Sequence, residues 1–174
     1  LTVVEMSPYG VIGAITPSTN PTETIICNSI GMIASGNAVV FNGHPGAKKC
    51  VAFAVDMINR AIISCGGPKN LVTAIKNPTM ESLDAIIKHP AIKLLCGTGG
   101  PGMVKTLLSS GKKSIGAGAG NPPVIVDDTA DIEKAGKSII EGCSFDNNLP
   151  CIAEKEVFVF ENVADDLIKN MLKN

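Results

Sequence analysis

Two side chains in this sequence have the type and setting for carbonyl chemistry. Cys151 closes the polar, turn-rich run Ser144-Phe145-Asp146-Asn147-Asn148-Leu149-Pro150-Cys151, just ahead of the strand-like run Glu156-Val157-Phe158-Val159-Phe160. A thiolate is a strong nucleophile, and loop exposure favours its reactivity. A lone cysteine is more often a small apolar core residue. Cys27, Cys50 and Cys96, set in apolar helix or strand patterns, fit that description, and Cys143 at a predicted helix end also reads as structural. The second side chain is Asn20, in Thr16-Pro17-Ser18-Thr19-Asn20-Pro21, between a strand-like and a helix-like run. Spacing alone favours an N-cap. The alternative is that its amide NH₂ donates to a developing oxyanion.

Two glycine-rich stretches add phosphate chemistry. Gly97-Thr98-Gly99-Gly100-Pro101-Gly102 matches G-x-G-x-x-G, follows a strand and opens a helix. Backbone amides in such a turn can approach a phosphate at the helix N-terminus. The plainer reading is a tight strand-to-helix turn, and no acidic residue ends the next strand to hold a ribose. It is not a Walker loop, because Gly-Lys-Ser/Thr is missing. Gly116-Ala117-Gly118-Ala119-Gly120-Asn121-Pro122-Pro123 removes side chains where something else must come close, or is a plain linker.

The elements that must position these groups alternate. Strand-like runs at 10–16, 38–41, 71–75, 92–96, 124–126 and 155–160 are interleaved with helical patterns at 22–36, 47–65, 79–89, 103–111, 131–142 and 164–173. Pro21 suits a first helical turn, and Thr79 with Ser82 and Asp84 suits another helix start. The opening run, 1–16, is strand-like throughout. Such alternation predicts an α/β fold: a Rossmann-like parallel sheet with flanking helices. Ligands then bind beyond the carboxyl ends of the strands, which draws attention to loops 17–21, 42–46, 97–102 and 127–130. A domain boundary is expected near the polar run, with 1–145 on one side and 146–174 on the other.

Composition narrows the class. The 174 residues carry a net charge of −1, 45% hydrophobic residues, 3% aromatics and no Trp. That supports an aliphatic core in about one domain and argues against disorder. No basic stripe points to nucleic acid or an anionic membrane surface. No apolar run reaches the roughly 18 residues of a membrane span. Six cysteines without a C-x-x-C pair, and two histidines away from them, argue against zinc. Reduced thiols, and so a cytoplasmic setting, are expected.

Five stretches in this order, "TPSTNPTET", "GNAVVFNGHPGAKK", "GTGGPGMVK", "GAGAGNPPVIVDDTADIEKA" and "SFDNNLPCIAEKEV", closely resemble the CoA-acylating aldehyde dehydrogenases. Among these, the sequence is most similar to the propionaldehyde and acetaldehyde enzymes of bacterial propanediol and ethanolamine utilisation. The first half of the bifunctional aldehyde-alcohol dehydrogenases is a more distant likeness. The resemblance covers nearly the whole chain. It implies that Cys151 is the nucleophile and that Asn20, with the Cys151 backbone N–H, forms the oxyanion hole. It implies cofactor contacts from Thr16, Pro17 and Ser18, from Asn42, His44 and Pro45, from Gly97, Thr98, Gly99 and Gly100, and from Ala117 and Gly118.

Two departures from the hydrolytic relatives carry meaning. Those relatives have a Glu-Leu-Gly-Gly stretch whose Glu activates water. Aligned on Pro123, this sequence has Ala117 at that position, so an acyl-cysteine would wait for a thiol such as CoA. At Asn42-Gly43-His44-Pro45 the usual Lys and Glu for the adenosine ribose are missing, which leaves the choice between NAD and NADP open. The implied reaction converts a short aliphatic aldehyde, propanal or acetaldehyde, to acyl-CoA with hydride transfer to NAD. The resemblance further implies a piece of a longer, homo-oligomeric protein, cytoplasmic or packed inside a bacterial microcompartment. The rival readings are a hydrolytic or phosphate-dependent aldehyde oxidation, and a catalytically incomplete piece that only binds nucleotide or packs.

Overall fold

The computed structural model describes residues 2–4 and 7–174. Leu1, Glu5 and Met6, part of the strand-like opening run, lie outside the described residues, and the described residues ahead of Val11 carry no strand. The chain divides into two compact units, Leu1–Gly118 and Ala119–Asn174.

In the first unit, five strands form one parallel sheet: β1 (Val11–Thr16), β2 (Ala38–Gly43), β3 (Val72–Ala74), β4 (Ile92–Thr98) and β5 (Lys113–Ala117), in the spatial order β3-β2-β1-β4-β5. This is the doubly wound order, in which successive crossovers run outward from the first strand in both directions. The helices are α1 (Pro21–Ala34), α2 (Lys48–Ser64), α3 (Met80–Lys88) and α4 (Pro101–Leu108). Because neighbouring strand residues face opposite sides, Ala14 and Ile15 enter different cores. Ala14 joins Ile25, Val39, Phe41, Val51 and Val72 under α1 and α2. Ile15 joins Leu83, Ile86, Leu95 and Leu107 under α3 and α4. Burial on both faces explains why β1 reads as a continuous apolar run.

Local chemistry fixes the helix starts. Pro21 occupies the first turn of α1. Thr79 and Ser82 make a reciprocal capping box at α3, with Thr79 Oγ1 accepting from the Ser82 N–H at 3.2 Å and Ser82 Oγ accepting from the Thr79 N–H at 2.9 Å. The Ser82 hydroxyl also donates to Asn42 Oδ1 at 2.7 Å, tying this helix start to the carboxyl end of β2.

The second unit is a βαβ element: β6 (Pro123–Val126), α5 (Ile132–Ser144), a kinked 3₁₀ turn (Phe145–Asn148), β7 (Glu156–Val159) and α6 (Glu161–Met171). β6 and β7 pair in parallel, and α5 packs with α6 over Val126, Ile139 and Leu167. Asp131 caps α5 by accepting from the Lys134 N–H at 3.1 Å.

The expectation of an α/β parallel sheet holds, with three corrections of detail. The second compact unit includes α5, which packs with α6 and contributes Ile139 to that unit's own core. The strand β5 is absent from the sequence reading. It is a mostly exposed edge strand with Lys113 and two small residues, Gly116 and Ala117, so no apolar run marks it. The helix expected at 103–111 runs 101–108, since Pro101 opens it and Ser109 ends it. Finally, Cys27 and Cys50 are exposed rather than buried, lying on the outer faces of α1 and α2.

Candidate active site

The cysteine loop in the second unit is held by an unusual backbone. Asp146, Asn147 and Asn148 have consecutive positive φ values of 47°, 55° and 59°. That left-handed conformation costs an L-residue about 1–2 kcal/mol, and Asn and Asp tolerate it best. Strain of this kind persists only where surrounding contacts over-determine it. Here they do. The Asn148 side-chain amide donates to the Cys143 carbonyl at 2.7 Å and to the Glu154 carbonyl at 2.9 Å, bridging both ends of the loop. Lys155 Nζ donates to the Asn148 carbonyl at 3.0 Å, to Asn148 Oδ1, and to the Pro150 carbonyl at 3.3 Å. The Lys155 N–H bonds the Pro122 carbonyl at 3.1 Å, which anchors the loop exit to the start of β6.

Cys151 sits exposed on this bracketed turn with a free thiol. The Pro150 carbonyl also accepts from the Ala153 N–H at 3.2 Å, so the turn closes around the cysteine. Among the described residues, the Cys151 backbone N–H has no hydrogen-bond partner. Gly120 packs directly against this turn: a Cβ there would overlap the Cys151 carbonyl oxygen and stand 3.0 Å from its carbonyl carbon. The close approach anticipated for the glycine-rich stretch is therefore made by the cysteine loop itself. Gly116 and Ala117 of that stretch are strand residues, so it is no plain linker.

In the first unit, sheet register gathers the expected cofactor residues at one edge. Ile15 pairs with both Asn42 and Gly97, Thr16 pairs with Gly43, and Thr98 pairs with Ala117. Pro17 and Ser18 follow β1, His44 and Pro45 follow β2, and Gly99 and Gly100 follow β4, all at the carboxyl edge. Chain leaving β1 goes to α1 on one face and chain leaving β4 goes to α4 on the other, which opens the switch-point crevice where dinucleotides bind. The arrangement fits a nicotinamide dinucleotide, with qualifications at single residues. The Gly99 N–H already donates to the Ala117 carbonyl at 3.0 Å. Gly97 serves packing: a Cβ there would overlap Leu107 and lie 3.2 Å from Met103 Sδ. Gly100 is open, with nothing within 4 Å of a would-be Cβ. Thr16 is buried, and its hydroxyl has no partner among the described residues. His44 Nδ1 accepts from the Gly46 N–H at 3.1 Å, which shapes the turn after β2. Ala117 ends β5 with no side chain able to activate water.

Asn20 stands at the N-cap position of α1, yet its side chain makes no capping bond. Its backbone carbonyl accepts from the Thr24 N–H at 3.2 Å and the Thr24 hydroxyl at 2.8 Å. Its Oδ1 accepts from the Thr19 hydroxyl at 3.1 Å, which orients the amide while its NH₂ makes no bond among the described residues. The cap favoured by spacing is thus not made, and the exposed amide donor is available.

Other titratable groups separate into structural roles. Burial pushes the Cys96 thiol up, away from thiolate chemistry. The Thr129 hydroxyl, and then its backbone N–H, hold the Asp127 carboxyl below its usual range. Among the described residues no group of three or more His, Cys, Asp or Glu side chains converges as a metal site, and no helix is long and apolar enough to cross a membrane. Sequence reasoning missed Asn148, Gly120 and Lys155. The Asp-Asn-Asn run is itself a signal for left-handed turn residues, whereas nothing local marks Lys155.

The model of the aldehyde dehydrogenase family matches residues 1–174. The chain is 53% identical over 171 residues to the CoA-propanoylating propanal dehydrogenase of Salmonella typhimurium, covering 98% of this chain and 37% of that protein. A solved propionaldehyde dehydrogenase from the fucose utilisation microcompartment of Clostridium phytofermentans superposes with a TM-score of 0.91 at 59% identity, covering 98% of this chain and 39% of that one. The propionaldehyde dehydrogenase of Rhodopseudomonas palustris, solved with bound CoA and an acylated cysteine, gives a TM-score of 0.89 at 57% identity over 97% of this chain and 38% of that one. The chain thus spans little more than a third of the length of the relatives it matches.

Proposed function

From a chain that belongs to the aldehyde dehydrogenase family along its whole length, we propose that the protein it is part of is a CoA-acylating aldehyde dehydrogenase acting on a short aliphatic aldehyde, propanal or acetaldehyde. The observation that carries this reading is the bracketed loop, which offers an exposed Cys151 thiol beside a free backbone N–H. The activities named for the relatives support the CoA acceptor.

In this reading the Cys151 thiolate attacks the aldehyde carbon. The Asn20 amide and the Cys151 N–H receive the oxyanion, a contact type whose removal costs about 3–4 kcal/mol elsewhere. A nicotinamide dinucleotide, when bound, supplies the hydride acceptor. The first unit would hold it through the loops after β1, β2 and β4, with Thr16, Pro17, Ser18, Asn42, His44, Pro45, Gly97, Thr98, Gly99 and Gly100, and through Ala117 and Gly118. NAD is the proposed form. The acyl-cysteine then passes its acyl group to the CoA thiol, and Ala117 supplies no base to divert it to water. We assign residues 1–145 to cofactor binding and residues 146–174 to the start of the catalytic region. The full protein is proposed to be a homo-oligomer, cytoplasmic or inside a bacterial microcompartment as named for one relative.

The test is NADH formation from propanal by the full-length parent, with and without CoA. Sustained turnover that requires CoA is expected. Equal turnover without CoA would make water the acceptor and overturn the role given to Ala117. The 174-residue chain alone, lacking most of its relatives' length, is expected to show no turnover.

A further inference from the structure

The peptide whose N–H belongs to Cys151 bears on catalysis through the proposed role of Cys151 as nucleophile. The carbonyl of that same peptide belongs to Pro150. Its oxygen accepts two hydrogen bonds, from Lys155 Nζ at 3.3 Å and from the Ala153 N–H at 3.2 Å. Two donors on one carbonyl fix the peptide plane and so fix the direction of the Cys151 N–H. They also polarise the amide, because hydrogen bonds in series strengthen one another. One of the donors is an ammonium, and charge-assisted bonds are the stronger kind.

We propose that Lys155 is a positioning residue for the oxyanion hole: it holds and polarises the Pro150–Cys151 peptide so that the Cys151 N–H is presented to the developing oxyanion. Three observations make this more than a surface lysine near a loop. Lys155 Nζ spends its donors on three oxygens of one short segment, the Asn148 carbonyl, Asn148 Oδ1 and the Pro150 carbonyl. Asn148 is itself a left-handed residue whose amide ties the two ends of the loop, so the lysine is braced from both sides. Nor does an ion pair compete for it: all four salt bridges among the described residues involve other lysines or Arg60.

The role predicts a division between two reactions of the same thiol. Attack on an aldehyde creates an oxyanion and needs the N–H. Alkylation by iodoacetamide displaces iodide and creates no oxyanion. In the full-length protein, Lys155→Met should lower kcat/KM for propanal by about tenfold or more, the scale of a weakened oxyanion donor. Alkylation of Cys151, followed by mass spectrometry, should keep its wild-type rate. If Lys155→Met does not melt cooperatively, Lys155→Gln is read in the same way. Turnover within about twofold of wild type would overturn the inference, and so would alkylation slowed in proportion to turnover, which would put the lysine's effect on the thiol itself. Cys151→Ala separates this from the underlying reading: surviving turnover there removes the nucleophile, whereas an inactive Cys151→Ala beside an unimpaired Lys155→Met removes only the role of Lys155.

Discussion

Replacing Gly120 by alanine tests whether the glycine-rich stretch exists to seat the cysteine loop. The φ of Gly120 is not in the left-handed region, so the backbone tolerates alanine and the effect is one of space alone. The added methyl would overlap the Cys151 carbonyl oxygen and lie 3.0 Å from its carbonyl carbon and 3.3 Å from its Cβ. Non-bonded contacts to a methyl are rarely closer than about 3.0–3.5 Å, and the carbonyl oxygen is the limiting atom, so the cysteine backbone must retreat by about 1–1.5 Å. No flexible side-chain tip is available to give way, because two of these three atoms are backbone. A displacement of about 1 Å at a reacting group costs on the order of 10²-fold in rate. Gly120→Ala in the full-length protein should therefore lose about 10- to 100-fold in kcat/KM, or roughly 1.4–2.7 kcal/mol of transition-state stabilisation. Overpacking should cost about 1–3 kcal/mol of stability as well. The assay is NADH formation from propanal and CoA alongside urea melts. Gly31→Ala serves as control: Gly31 lies inside α1 with nothing within 4 Å of a would-be Cβ. That change should leave activity intact and add about 0.5–1 kcal/mol. Wild-type activity in Gly120→Ala would refute the reasoning, since the loop would then have moved without consequence for the cysteine.

Three further outcomes follow from the same contacts. Asn20→Ala should cut kcat by about 10²–10³-fold while barely changing the melting temperature, because its side chain caps nothing; a loss of stability near 1 kcal/mol with activity intact would restore the capping role. Ser82→Ala removes a capping-box partner and leaves the buried Asn42 without its 2.7 Å hydrogen bond, so urea melts should show a loss of about 1–3 kcal/mol. The Asp127 carboxyl is held low chiefly by the Thr129 hydroxyl at 2.7 Å, so its contribution to stability is present above the usual carboxylate range and fades as pH falls through the depressed value. Thr129→Val should therefore be less stable than wild type at pH 7, with the difference shrinking as pH falls below the usual carboxylate range in parallel melts; a difference that stays constant on acidification would contradict the assignment.

The sequence alone determined the alternation of strands and helices, because apolar periodicity is a local property that survives without neighbours. It located the first turn of α1 through Pro21 and of α3 through Thr79 and Ser82, since caps are made by residues close in the chain. It singled out Cys151 and Asn20 by residue type and loop setting, and five ordered motifs identified the family. What only the tertiary structure decided depends on groups distant in the chain or on exposure. The edge strand β5 has few apolar residues because most of its side chains are exposed, and that depends on what packs over the sheet edge. The division at 118/119 depends on α5 packing with α6. Cys27 and Cys50 are apolar in context but exposed, because a helix pattern dense in small and apolar residues does not say which of them face the sheet. Above all, Gly120 meets Cys151 across 31 positions of chain, and Lys155 reaches back to Asn148 and Pro150 only because three left-handed residues fold the loop onto itself. Residue types nominate a nucleophile; the backbone geometry that aims its N–H comes from the folded loop.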